Sequence, residues 1–172
     1  MKEIELKFKV EEDYGVFKSK IEKTGVKYRG KYQQTDIWLD TKDGRLRQER
    51  KGLRIRQQNG KATLTLKSKQ VYGKFREAEE LEVVIDDFKK TFGIFGELGF
   101  EIYIKIKKER EIWKLGDIEV CLDKVEDLGV FLELEGSKKG IEEAIKRLGL
   151  KTSARITKHY GELYKERNGK SK

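Results

Sequence analysis

Hydrophobic and charged residues alternate with period two along most of the chain, and that alternation marks β-strands. The first strand is the clearest: Ile4, Leu6, Phe8 and Val10 share one face, while Glu3, Glu5, Lys7 and Lys9 share the other. The same pattern predicts strands at about 27–40, 51–58, 62–69, 74–85, 101–113, 117–124 and 129–136, joined by turn signals such as Asp43-Gly44, Asn59-Gly60 and Gly116-Asp117. Roughly eight strands result. Helical spacing occurs at about 11–24, at 86–98 with Phe88, Phe92 and Phe95 on one stripe, and at 138–148 with Ile141, Ala144, Ile145 and Leu148. A short helix is expected near 159–167. The helices need an apolar surface, which the apolar strand faces supply. The charged faces then point either to bulk water or into the middle of a closed barrel.

The charged parity reads, strand by strand, Glu3, Glu5, Lys7; Arg54, Arg56; Thr63, Thr65, Lys67; Glu80, Glu82; Lys108, Arg110; Glu119, Asp123; and Glu133, Glu135. Carboxylates gather at the two ends of the strand order and cations in between. Same-face neighbours on one strand lie about 7 Å apart, so Glu3, Glu5, Glu133 and Glu135 could approach one ion only if the first and last strands converge, as they would in a barrel. Meeting there, they would repel unless a divalent cation were present, and an all-oxygen site suits Mg²⁺ or Mn²⁺. Arg54, Arg56, Lys67, Lys108 and Arg110 form a cationic set whose natural partners are phosphate oxygens. One strand breaks the rule: Ile102, Ile104 and Ile106 share parity with Lys108 and Arg110, which requires a bulge, an exit from the interior or an apolar lower half.

Composition narrows the picture. A chain of 172 residues suits one domain, here residues 1–167, with a basic tail at 168–172. Lys and Arg number 40 against 31 Asp and Glu, and the resulting +9 favours an anionic partner. Cys121 is the sole cysteine and His159 the sole histidine, which excludes an internal disulfide and a Cys/His zinc cluster. Cys121 reads as an interior filler and His159 as a surface residue. No apolar run approaches the roughly 18 residues that span a bilayer, so a cytoplasmic protein without a membrane partner is expected. A nucleic-acid-binding barrel would use the positive charge, Trp38 and the tyrosines, but carboxylates on the same faces would repel a phosphate backbone.

The order Glu3-x-Glu5-x-Lys7, Leu53-Arg54-Ile55-Arg56, Leu64-Thr65-Leu66-Lys67, Glu80-Leu81-Glu82, Lys108-Glu109-Arg110, Asp123 and Glu133-Leu134-Glu135 resembles the CYTH superfamily of triphosphate tunnel enzymes, which includes class IV adenylyl cyclases and thiamine triphosphatases. The resemblance extends to Asp36-Ile37-Trp38-Leu39-Asp40 and Leu128-Gly129. It implies an α+β fold, an eight-stranded antiparallel closed barrel open as a tunnel with helices outside. It further implies that Glu3, Glu5, Glu133 and Glu135 bind metal, that Lys7, Arg54, Arg56, Lys67, Lys108 and Arg110 bind triphosphate, and that Lys7, Lys108, Arg110 and Asp123 serve catalysis. Glu80 and Glu82 would be tunnel carboxylates. The substrate would be a small triphosphate: ATP, cyclised to cyclic AMP and pyrophosphate, or, alternatively, thiamine triphosphate, another nucleotide or tripolyphosphate, hydrolysed. The stretch from Leu98 to Glu135 looks closer to the cyclases. Lys158-His159-Tyr160-Gly161-Glu162-Leu163 is similar to the family's Ser-Tyr-x-x-Leu stretch with His159 in place of Ser. Both a monomer and a homodimer are compatible with the sequence.

Overall fold

In the computed structural model, which describes residues 2–156 and 158–169, nine strands and five α-helices follow one another. They are β1 (Lys2–Val10), α1 (Tyr14–Glu22), β2 (Lys27–Thr41), α2 (Arg45–Gln48), β3 (Gly52–Gln58), β4 (Lys61–Tyr72), β5 (Arg76–Ile85) and α3 (Phe88–Glu97), then β6 (Phe100–Leu115), β7 (Ile118–Val125), β8 (Gly129–Glu135), α4 (Lys138–Arg147), β9 (Arg155–Ile156) and α5 (Tyr160–Gly169). The strands lie in the order β5-β4-β3-β2-β6-β7-β8-β1, and β1 pairs back onto β5, closing an eight-stranded antiparallel barrel. Closure uses both edges of β1. Glu3 sits opposite Ala78 of β5, and Glu5 and Lys7 sit opposite Glu135 and Glu133 of β8. The two-residue β9 continues the β5 side of β1 at Lys7 and Phe8.

The outer faces carry the apolar cores. Leu6, Phe8, Leu122, Leu132 and Leu134 pack under α1 and α4, which contribute Phe17, Ile21, Ile141, Ala144 and Ile145. A second cluster, Ile37, Leu39, Leu53 and Ile55, lies under α2 and α3, with Leu46 from the former and Phe88, Phe92 and Phe95 from the latter. The helices begin where their caps dictate: Asp13, Asp87 and Ser137 accept backbone N–H groups of the first turns of α1, α3 and α4. Gly30, at φ +152°, marks a register shift in β2 that a side chain would strain. A Cβ at Gly52 would lie 2.7 Å from the Trp38 ring, so this glycine makes room for the indole inside the barrel.

The apparent conflict on β6 is resolved by a bulge. Trp38 pairs with Ile104 but Leu39 with Ile102, which inserts one extra residue and reverses the facing of everything before Ile104. Ile104 and Ile106 therefore face inward with Lys108 and Arg110, and they form an apolar end to the barrel interior. That end is closed by α5. Tyr160 enters it and packs with Ile106, Val125 and Phe131. The helix continues through Asn168 and Gly169; the rest of the tail expected at 168–172 lies outside the described residues. No helix among the described residues is long and apolar enough to cross a membrane.

Candidate active site

Period-two geometry sends the charged parity of every strand into the barrel, where it surrounds a cavity of about 270 Å³. Seven cationic side chains and eight carboxylates line it among the described residues. Every charged side chain expected from the sequence lines it except Asp123, which points inward but is fully buried beneath Lys108, Arg110 and Tyr160; Thr63 and Thr65, of the same parity, do not line it either. The charges are sorted into contacts. Lys7 Nζ meets Glu133 Oε1 at 2.8 Å, and Lys67 Nζ meets Glu3 Oε2 at 2.6 Å and also bridges to Glu80. Arg54 donates to the Thr65 hydroxyl at 3.1 Å, and that hydroxyl donates to Glu82 at 2.7 Å. Glu82 is exposed at the open mouth.

Arg110 grips Asp123 with two parallel bonds of 2.6 Å, also meets Glu133, and stands 3.6 Å from Glu135. Asp123 further accepts from Lys108 at 3.1 Å and from the Tyr160 hydroxyl at 2.8 Å. A carboxylate with four donor contacts is saturated, and its charge is strongly favoured: burial raises its pKa, but Arg110 and Lys108 prevail and hold it below the usual range. Asp123 thus anchors Lys108 and Arg110 from behind.

The four carboxylates expected at the metal site separate into three and one. Glu3, Glu5 and Glu135 bring carboxylate oxygens within 4.8 Å of one another. Glu133 instead sits between Lys7 and Arg110, which overcome burial and hold it well below the ordinary carboxylate pKa. Within the trio the electrostatics are uneven. Burial, with Glu5 and Glu135 nearby, pushes Glu3 up to about 8 despite Lys67. Burial, Glu133 and Glu5 likewise raise Glu135 against the pull of Arg110. Burial also disfavours charge on Glu5, yet Arg76 at 2.6 Å brings it down to about 2. One buried carboxylate and two half-buried ones, the latter two inclined to hold a proton, are a donor set that fits a hard divalent cation, which would supply the missing positive charge through oxygen ligands alone.

Several polar lining residues were given no site role in the sequence. Asp36 receives a bidentate Arg56 (2.6 and 2.8 Å), Gln34 donates to Gln58 at 2.5 Å, and Arg76 ties Glu5 to Gln70. Arg76 shares parity with Glu80 and Glu82, and Asp36 lies opposite Arg56 on the neighbouring strand, so extending the parity of β5 and β2 finds both. Tyr160, the first residue of α5, and His159 just before it gave no such signal because they lie outside the strand pattern. His159 is a correction to the surface reading: it is half-buried, lines the cavity, and stacks on Trp38 at 6.2 Å between ring centroids. Burial, with Arg76 and Lys7 nearby, pushes it down to about 3, so it is neutral at pH 7. Cys121 is fully buried, as expected of a filler.

Known proteins share this architecture. The family described as CYTH domain matches residues 1–161. A Methanocaldococcus jannaschii protein that carries the provisional name adenylate cyclase is 39% identical over 148 residues, covering 86% of this chain and 84% of its own. A solved Pyrococcus horikoshii structure superposes with a TM-score of 0.82 at 34% identity, covering 94% of this chain and 98% of the other. A Hippeastrum protein, provisionally named an adenylyl cyclase and described as having a dominant triphosphatase activity, shares the fold at a TM-score of 0.69 and 20% identity, over 98% and 95% of the two chains. With a sequence match over nearly its whole length and the same barrel in its relatives, the chain belongs to the CYTH domain family.

Proposed function

We propose that this protein is a divalent-metal-dependent enzyme acting on the triphosphate of a small molecule, and that its reaction is the conversion of ATP to cyclic AMP and pyrophosphate. One observation carries the reading: a single cavity sets the Glu3, Glu5 and Glu135 trio across from Lys7, Arg54, Arg56, Lys67, Lys108 and Arg110. Carboxylates in that number would repel a triphosphate, and cations in that number would serve no purpose in an apolar ligand site. Together they suit a polyanion that arrives with metal.

Each cation has a task that its surroundings explain. Arg54 is buried and Arg56 beside it half-buried, and burial together with Arg56 disfavours the charge on Arg54. A phosphate between them would relieve that repulsion through planar, bidentate contacts. Lys108 is similarly disfavoured by burial and by Arg110, so it too gains from an anion. Lys7 and Lys67 are point charges that would exchange a carboxylate contact for a phosphate oxygen. Held by Glu3, Glu5 and Glu135, Mg²⁺ or Mn²⁺ would neutralise charge developing on the phosphoryl oxygens. In cyclisation the ribose 3′-hydroxyl gives up its proton to water, its oxygen bonds to the α-phosphorus, the bond from that phosphorus to the bridging oxygen breaks, and pyrophosphate departs. Lys7, Lys108 and Arg110 would steady the charge on the leaving group.

The cyclase reading is supported by the provisional name of the 39%-identical Methanocaldococcus jannaschii relative. Hydrolysis of thiamine triphosphate, a nucleotide or tripolyphosphate is the second reading, favoured by the dominant triphosphatase activity of the Hippeastrum relative. The two reactions need the same cations and metal and differ in the nucleophile. Incubation with Mg²⁺ or Mn²⁺ and, separately, ATP, thiamine triphosphate and tripolyphosphate decides between them. Cyclic AMP with matching pyrophosphate is the expected result, orthophosphate without cyclic product establishes the triphosphatase, and no metal-dependent product refutes both.

A further inference from the structure

Tyr160, the first residue of α5, touches the charged machinery directly on three sides. Its ring faces the Lys7 ammonium at 4.0 Å from the centroid and the Lys108 ammonium at 5.1 Å. Its hydroxyl donates to Asp123 at 2.8 Å, the same carboxylate oxygen that receives Lys108. Phe131 closes edge-on against the ring at 5.1 Å between centroids, and Ile106 and Val125 complete an apolar seat. The seat is tight on the helix side as well, since a Cβ on Gly161 would lie 3.0 Å from the His159 ring.

Lys7 belongs to β1 and Lys108 to β6, three strands apart around the barrel. Two ammonium groups drawn to one place repel, and their carboxylate partners Glu133 and Asp123 hold them from the wall side only. The electron-rich face of an aromatic ring attracts both at once without bearing a charge that would repel phosphate. From this we infer that Tyr160 is a positioning residue of the triphosphate site: its ring fixes Lys7 and Lys108 and its hydroxyl fixes Asp123, so that docking of α5 sets the affinity for the polyanion. The inference rests on the triphosphate reading of the cavity and assigns a role that the strand residues do not fill.

The test is titration of inorganic imidotriphosphate, whose P–N–P bridges resist hydrolysis, in the presence of Mg²⁺, followed by calorimetry. Tyr160→Leu, which removes ring and hydroxyl, is expected to weaken binding by about tenfold or more, and Tyr160→Phe, which keeps the ring, by no more than about threefold. Pentafluorophenylalanine at position 160 keeps the shape of the ring but removes its electron-rich face, and should bind as weakly as the leucine variant. This variant also stands in if Tyr160→Leu does not fold. A residue that merely packs the helix would leave affinity unchanged across phenylalanine and its fluorinated form, and that result overturns the inference while leaving the triphosphate reading intact. If the unaltered protein itself fails to bind imidotriphosphate, the triphosphate reading falls and this role falls with it.

Discussion

Along β1 the two faces of the barrel wall are equally buried and chemically opposite. On β1, Leu6 and Phe8 look outward into the core under α1 and α4, whereas Glu5 and Lys7, their sequence neighbours, look inward; all four have at most 6% of their surface exposed. Outside, each buried apolar side chain contributes about 1.5–3 kcal/mol by leaving water. Inside, the buried charges have lost their hydration and are compensated through partners such as Arg76 for Glu5 or Glu133 for Lys7. One alternation thus builds a face that stabilises the fold and a face that draws on that stability to keep a charged cavity ready.

Several substitutions would break or sharpen this contrast. Arg110→Ala should have the largest effect, because it strips the main cation from Asp123 and Glu133: about 3–5 kcal/mol of stability, read by denaturant unfolding, together with loss of turnover. Glu135→Ala should separate the two properties. Turnover with Mg²⁺ should fall at least about a hundredfold, while the melting temperature holds or rises, because a carboxylate disfavoured by burial and by its neighbours is gone. Ile141→Ala, on the outer side, should do the reverse: about 2–4 kcal/mol of stability lost, with turnover well below the melting temperature unchanged within about twofold.

The smallest effect expected is one of pH. Glu3 titrates ordinarily near 4.5 and is held up to about 8 in the fold, so the folded protein keeps an extra proton across that window and loses stability as pH rises through it. His159 acts oppositely, since its descent from 6.5 to about 3 gives stability that is lost as pH falls through that range. The two offset each other between pH 4.5 and 6.5, which leaves a net decline of melting temperature between pH 6.5 and 8 in the absence of divalent metal. Glu3→Gln should flatten that decline, which differential scanning calorimetry would record.

The strands and the inner face were legible in the sequence because the alternation is strict and the inward residues are charged rather than neutral. Glu3, Glu5, Lys7 and the β3, β4 and β8 positions all follow from it. What escaped came from elsewhere. The bulge at Tyr103 has no glycine to announce it, so the facing of Ile104 and Ile106 could be posed only as alternatives. α2 has four residues and β9 two, too short for periodicity to register. The split of Glu133 from the other three carboxylates depends on which cation reaches it, and that is decided by closure of the barrel. His159 and Tyr160 stand at the start of a helix whose charged composition suggests an exposed surface, while Tyr160 is inserted into the apolar end of the barrel.

The most direct test of the account is Mn²⁺ binding followed by electron paramagnetic resonance, with and without imidotriphosphate. The account predicts that the unaltered protein binds Mn²⁺, that imidotriphosphate strengthens the binding, and that Glu135→Ala abolishes both effects. Absence of Mn²⁺ binding, or binding indifferent to imidotriphosphate and to Glu135→Ala, would contradict it.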